Sequence, residues 1–298
     1  MFSKVKKAVI PAAGYGTRML PFTKAVPKEL IPLVDKPVIQ YVVEEAAASG
    51  IREILLIISQ GKEAIINHFN PAFELESRLR QSGKTQQLSE ISSIGTGAVI
   101  SFVYQKELNG LGDAVILAEK FAGSDPFALL LGDTVLDPGN GIPVTAQLIS
   151  GCRKCGTSIV AVEKVPREKL CNYGVPGGKW IEPDLMKVDT IVEKPDIQET
   201  PGDFAVASRY VFSPEIFPAL HTTARGKGNE IQLTDAMQQL VSAGRLHARV
   251  ISGSRYDLGS KAGFVTANAE FALRRPELAD AVREKLETIL QQKENPSC

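Results

Sequence analysis

Residues 7–32 read KAVIPAAGYGTRMLPFTKAVPKELIP, and their order of residue types decides the fold. Lys7–Ala13 is a short apolar run that stops at Gly14, as a core strand entering a turn should. Gly14 and Gly16 sit in that turn, followed by Thr17, Arg18, Lys24, Lys28 and Glu29. Glycines let backbone N–H groups approach a phosphate without a Cβ in the way, and the basic side chains add charge. The spacing is not that of a Walker loop, and the third glycine of a dinucleotide fingerprint would fall at Met19. Glycine spacing alone leaves an ordinary turn as an equal alternative. Arg18, Lys24 and Lys28 tip the reading toward phosphate.

Outward from this stretch, apolar runs alternate with helical patterns. Val38–Ser49 is helix-like with Gly50 as its C-cap, Arg52–Ser59 a buried strand and Lys62–Phe69 a short helix. Val99–Gln105, Phe127–Leu131 and Thr157–Val165 are further strands, with helices at Asp113–Ala122 and Pro143–Cys152. Continuous apolar strands separated by helices predict a doubly wound α/β domain on a mainly parallel sheet covered on both faces. Residues 71–97 are polar with no sustained period and read as an excursion near the sheet's mouth. From Tyr173 to Arg209 short β-like pieces broken by Gly and Pro suggest a smaller inserted region. Tyr210–Leu220 and Glu230–Ala243 read as helices and His247–Ile251 as a returning strand. In the tail, Leu278, Val282, Leu286, Ile289 and Leu290 fall on one helical face behind Pro276, a stripe for packing or for an oligomer contact.

The 298 residues carry 34 Lys+Arg against 34 Asp+Glu, which argues against a broad basic field for nucleic acid but not against a local anion site. No apolar stretch approaches the roughly 20 residues that span a bilayer. Pro11 interrupts the apolar start and no small-residue cleavage site follows, so a cytoplasmic protein is expected. Four cysteines are too few for a disulfide framework. Cys152–Cys155 is a C-x-x-C pair, but Cys171, Cys298, His68, His221 and His247 supply no second pair for zinc. It also closes a helical run instead of opening one, so it reads as two incidental thiols.

The string G-x-G-T-R followed by L-P, T-K-x-x-P-K-E-L and D-K-P resembles the signature of the sugar-1-phosphate nucleotidylyltransferases, most closely the bacterial UTP–glucose-1-phosphate uridylyltransferases. The likeness continues through Gly110–Val115 (GLGDAV), Leu131–Asp137 (LGDTVLD), Val192–Pro195 (VEKP), Gly228–Ala236 (GNEIQLTDA) and Tyr256–Gly259 (YDLG). It implies a Rossmann-like nucleotidyltransferase fold over residues 1–271, with a nucleotide half to about 165, a sugar-side β region over about 166–260 and a C-terminal helical tail from 272. It also implies a Mg²⁺-dependent reaction in which UTP and glucose 1-phosphate give UDP-glucose and pyrophosphate. The attacking phosphate oxygen is already an anion, so the protein must supply positioning and charge neutralisation, not a general base.

By the resemblance, Arg18 and Lys28 are the catalytic charges on the triphosphate. Ala12, Ala13, Gly14, Gly16 and Thr17 present backbone to the nucleotide, while Glu29, Gln105 and Gly110 face the base. Gly174, Glu193 and Lys194 take the sugar phosphate, and Asp133 and Asp257 hold the magnesium, which needs only one or two carboxylates. Alone, each aspartate would read as a turn or cap residue and Glu193–Lys194 as a surface charge pair. The family also implies a homo-oligomer, dimer or tetramer, with no nucleic acid or membrane partner. Close uridylyltransferases often carry proline where Gly132 precedes Asp133. The rivals are a glucose-1-phosphate thymidylyltransferase using dTTP, against which Pro27–Lys28–Glu29 speaks, and a non-catalytic regulatory homologue, against which the full set of charged residues speaks.

Overall fold

The computed structural model describes residues 4–294; Met1–Ser3 and Asn295–Cys298, with the Cys298 weighed above, lie outside the described residues. Lys7–Pro11 forms β1, and Ala8, Val9 and Ile10 are all fully buried although successive side chains point to opposite faces. Such a strand needs cover on both sides. A minimal hairpin, β2 (Pro32–Leu33) and β3 (Lys36–Pro37), leads into α1 (Val38–Ala48), β4 (Glu53–Ile58) and α2 (Glu63–Phe69). After α3 (Phe73–Gln81) and α4 (Thr85–Ser92) come β5 (Val99–Tyr104), α5 (Leu111–Ile116), α6 (Glu119–Ala122), β6 (Phe127–Leu130) and β7 (Thr134–Asp137). Then follow α7 (Val144–Cys155), β8 (Ser158–Lys164), β9 (Gly174–Glu182), β10 (Leu185–Glu193) and β11 (Phe204–Phe212). The chain ends in α8 (Ile216–Thr222), α9 (Leu233–Ser242), β12 (Leu246–Val250), β13 (Ser254–Asp257), α10 (Lys261–Leu273) and α11 (Pro276–Glu294).

Among the described residues one nine-stranded sheet runs in the order β5-β4-β1-β6-β11-β8-β12-β10-β9. β5, β4, β1 and β6 are mutually parallel; β11 runs antiparallel to β6 and β8, and β10 antiparallel to β12 and β9. One face packs Ile10, Ile54, Leu56 and Leu130 against α1 and α7; the other packs Val9, Leu55, Ile57 and Phe127 against α5, α8 and α9. This is the doubly wound, mainly parallel α/β fold expected. From β1 the chain winds outward to β4 and β5, then returns to place β6 on the other side of β1. That reversal opens a crevice at the carboxyl ends of β1 and β6, where open α/β sheets bind ligands.

Four expectations change. Residues 71–97 hold two helices, α3 and α4, with no buried side chain in either. Their surface pairs, such as Arg78–Glu74 at 2.7 Å, leave no apolar period to read. Residues 113–122 form two helical pieces, α5 and α6, instead of one continuous helix. Tyr210–Phe212 completes β11 instead of starting a helix, because it pairs with β6; α8 begins only after Ser213 and Pro214. The β-like pieces after Tyr173 are long strands, β9, β10 and β11, that join the main sheet. In α11 the stripe is split, Leu278 and Val282 being partly buried and Leu286, Ile289 and Leu290 exposed.

Candidate active site

β1 ends at Pro11, and the chain turns through Ala12–Gly16 across the crevice. Ala12 N donates to Ile57 O at 2.7 Å, and Ser59 Oγ donates to Ala13 O at 2.7 Å, so β4 fixes the turn from one side. Gly16 adopts φ 68°, and a Cβ there would lie 2.9 Å from Lys28 Cβ. Only glycine lets the Lys28 stem lie across the turn. Three short 3₁₀ turns follow, Thr17–Met19, Phe22–Lys24 and Lys28–Leu30, the last delivering Lys28 and Glu29 beneath the loop.

A cleft of about 260 Å³ is lined by Ala13, Gly14, Lys28, Glu29, Gln105, Gly110 and Asp133, all singled out from the sequence, together with Leu108 and Glu230. Lys28 Nζ pairs with Asp133 Oδ2 at 2.5 Å. Burial alone would raise the Asp133 carboxyl, but the Lys28 and Arg18 cations more than offset it and hold it below the usual carboxylate range. Lys28 is correspondingly raised: burial pulls it down, and Asp133 and Glu29 push it further up. Gly110 has φ 105°, and a Cβ would come within 2.7 Å of Glu230 Cβ and 2.9 Å of Ile231 O. Gln105 Nε2 donates to Asp113 Oδ2 at 2.7 Å, which fixes the amide at the cleft wall.

Asp257, at the end of β13, faces Thr134 across the β7–β13 pair, next in sequence to Asp133. The two aspartates therefore lie at the same end of the β7–β13 pair. Asp257 Oδ1 accepts from Gly259 N at 3.0 Å, and its Oδ2 lies 3.7 Å from Arg18, whose side chain is exposed at the rim. Ala12, Gly16, Thr17, Arg18 and Asp257 shape or edge this cleft without belonging to its lining. Two carboxylates with no thiol or imidazole beside them suit a hard divalent cation completed by phosphate oxygens and water.

A second cleft of about 180 Å³ shares Leu111 and Leu131 with the first and so borders it. It brings together Gly174, Glu193 and Lys194, because Gly174 opens β9 exactly opposite Glu193, which closes β10. Thr234 Oγ1 donates to Glu193 Oε2 at 2.6 Å, while Glu193 Oε1 lies 3.5 Å from Lys194 Nζ. Lys194 is turned by φ 47°, and its N–H donates to Tyr173 O at 2.9 Å.

Four residues of the site were not assigned to it by the sequence reading. Thr234 and Glu230 lie inside the GNEIQLTDA string, which offered a signal. Arg209 is buried and donates to Glu45 Oε2 at 2.7 Å, Thr134 O at 2.9 Å and Ser208 O at 3.0 Å, holding the turn that carries Asp133. Lys62, buried just before α2, donates to both Glu29 oxygens at 2.9 and 2.7 Å and to Ala12 O at 2.7 Å. Burial pushes the Glu29 carboxyl up and the Lys62 ammonium down, each charge being held by the other. The position of Lys62 beyond the carboxyl end of β4 was its one available cue.

The nucleotidyl transferase family model matches residues 7–273. The UTP–glucose-1-phosphate uridylyltransferase YngB of Bacillus subtilis (strain 168) is 46% identical over 291 residues, covering 98% of this chain and 97% of its own. A UTP-bound UGPase from Acinetobacter baumannii superposes with a TM-score of 0.88 at 35% identity, over 95% of this chain and 98% of that one. A UDP-glucose pyrophosphorylase complexed with UDP-glucose gives 0.82 at 37% identity, over 91% of this chain and 100% of that one.

Proposed function

The chain belongs to the nucleotidyl transferase family, and from that premise we propose that it transfers UMP from UTP to glucose 1-phosphate, releasing pyrophosphate and forming UDP-glucose. The observation that carries the reading is the pair of clefts sharing Leu111 and Leu131, one lined by Lys28, Glu29 and Asp133 and the other by Glu193 and Lys194. The Bacillus subtilis uridylyltransferase and the UTP-bound Acinetobacter enzyme, each alike over nearly the whole chain, support it.

In this reading the uracil N3–H donates to Glu29, with Gln105 and Gly110 beside the base. The backbone of Ala12–Thr17 follows the triphosphate. Lys194 holds the sugar phosphate, and Glu193, oriented by Thr234, accepts from hexose hydroxyls. A phosphate oxygen of glucose 1-phosphate attacks the α-phosphorus, the bond to the bridging oxygen breaks, and pyrophosphate leaves; no proton must be removed. Lys28 and Arg18 offset the charge that grows on the leaving group. Asp133 and Asp257 would hold Mg²⁺, which when bound supplies further charge neutralisation. Among the described residues no helix is long and apolar enough to cross a membrane, and the cytoplasm is the proposed location. The exposed Leu286, Ile289 and Leu290 on α11 support a homo-oligomer.

The test is pyrophosphate release with glucose 1-phosphate and Mg²⁺, comparing UTP with dTTP, ATP, CTP and GTP, each with an EDTA control. Metal-dependent release with UTP is expected. A preference for dTTP would overturn the base assignment, and UTP binding without turnover would favour the regulatory homologue.

A further inference from the structure

We propose that Lys62 is the positioning residue that sets nucleobase specificity, by holding Glu29 as an ionised, acceptor-only group at the cleft wall. The proposal rests on the uridylyltransferase reading, which places the base against Glu29.

The geometry supplies the argument. Glu29 is 1% exposed, yet it contributes to the lining of the first cleft. Lys62 stands behind it, outside that lining, and 33 positions along the chain. An ammonium has three protons, and the three acceptors of Lys62 are Glu29 Oε1, Glu29 Oε2 and Ala12 O, at 2.9, 2.7 and 2.7 Å. Lys62 therefore keeps no proton for a ligand. Its work is to fix the carboxylate and to tie it to the backbone of the nucleotide loop. The other charge facing Glu29 is Lys28, its chain neighbour, which engages Asp133 at 2.5 Å. Lys28 is thus already committed to Asp133, and Lys62 alone among the described residues makes an ion pair with Glu29.

The consequence is chemical discrimination. An ionised carboxylate accepts hydrogen bonds and donates none, whereas a protonated one also donates. Uracil presents an N3–H donor; cytosine presents N3 as an acceptor. Holding Glu29 ionised therefore favours uracil and leaves a cytosine N3 facing a like lone pair. Without Lys62 the buried carboxyl would take up a proton, since burial penalises its charged form. It would then offer cytosine a donor, and the preference would shrink.

The experiment is isothermal calorimetry of UTP and CTP binding to the full chain and to Lys62→Met, Glu29→Gln, the double variant and Lys62→Arg, with steady-state turnover in parallel. A charge-assisted hydrogen bond is worth about 10- to 100-fold in affinity. The CTP-to-UTP ratio of dissociation constants should fall by about that factor in Lys62→Met. It should fall no further in the double variant, because both changes remove the same acceptor. Lys62→Arg, which keeps the cation, should hold the ratio within about threefold. Weakening of UTP and CTP alike in Lys62→Met, with the ratio unchanged, would mean a structural role and overturn the proposal. Should Lys62→Met fail to fold, loss of the ratio in Lys62→Arg would overturn it and retention would support it. Wild-type protein that prefers UTP in binding but shows no turnover would sink the transferase reading while leaving Lys62 testable by the same ratio. Wild-type protein with no preference would sink the specificity proposal.

Discussion

Replacing Arg209 by Met keeps most of the side chain's length and removes its charge at a position only 1% exposed. The guanidinium now gives Glu45 three donor contacts, Nε at 3.2 and 3.0 Å and Nη2 at 2.7 Å, and it binds the carbonyls of Ser208 and Thr134 at 3.0 and 2.9 Å. Breaking a buried pair from one side costs about 3–5 kcal/mol, because the remaining charge stays buried. Glu45 would still accept from Thr145 N at 3.0 Å and Thr145 Oγ1 at 2.7 Å, which places the expected loss at the lower end, about 3 kcal/mol. Because the same guanidinium pins Thr134, turnover should fall together with stability, through the turn that aims Asp133. Urea unfolding of the wild type, Arg209→Met, Glu45→Leu and Arg209→Met/Glu45→Leu is the assay. The double variant should be more stable than Arg209→Met alone, since no orphaned carboxylate remains. A single-variant loss below about 1 kcal/mol, or simple additivity in the cycle, would refute the claim that this pair holds the turn.

Lys194→Ala removes the cation proposed for the sugar phosphate, so KM for glucose 1-phosphate should rise about 10- to 100-fold with UTP affinity nearly unchanged; equal loss of both would break the division into two subsites. Gly110→Ala forces a side chain into φ 105° and against Glu230 and Ile231, so melting temperature and UTP affinity should both drop, by a strain of about 1–3 kcal/mol. The Lys28–Asp133 pair predicts a pH window in metal-free buffer. The depressed Asp133 carboxyl contributes stability above its unfolded pKa of about 3.9 that vanishes as pH falls through its folded value. The raised Lys28 contributes below about 10.4, and that share vanishes as pH rises through its folded value. Urea midpoints across pH should therefore lose less toward both extremes in Lys28→Met than in the wild type. EDTA should abolish pyrophosphate release and Mg²⁺ restore it, whereas release that survives chelation would leave Asp133 and Asp257 without the metal role.

What could be read in advance tracks the range over which each feature is determined. β1 and β4 are apolar at nearly every position because both sheet faces are covered, and such runs announce themselves. The loop glycines and Lys28 were legible through a short string of fixed spacing. α3 and α4 were not, since helices without a buried face carry no apolar period. The pairs Glu29–Lys62 and Arg209–Glu45 were invisible for another reason. Buried ionic partners separated by 33 and 164 positions leave no local pattern, and a lone Lys or Arg reads as surface by default.

β11 shows how such a distant pair can shape the site. Its register with β8 slips between Val206 and Tyr210, and Ser208 within the slip has φ 60°. A bulge re-aims the side chains it carries. Here it turns Arg209 toward Glu45 and α1, while Ser208 and Tyr210 line the second cleft. The Ser208 carbonyl accepts from Leu131 N at 3.2 Å as well as from Arg209, so the bulge is bonded to the turn entering Asp133. Leu131 is also one of the two residues common to both clefts. A non-glycine residue held at positive φ costs about 1–3 kcal/mol and persists only where its surroundings over-determine it. The Arg209–Glu45 pair is that over-determination, which makes the bulge a bonded link between the two clefts.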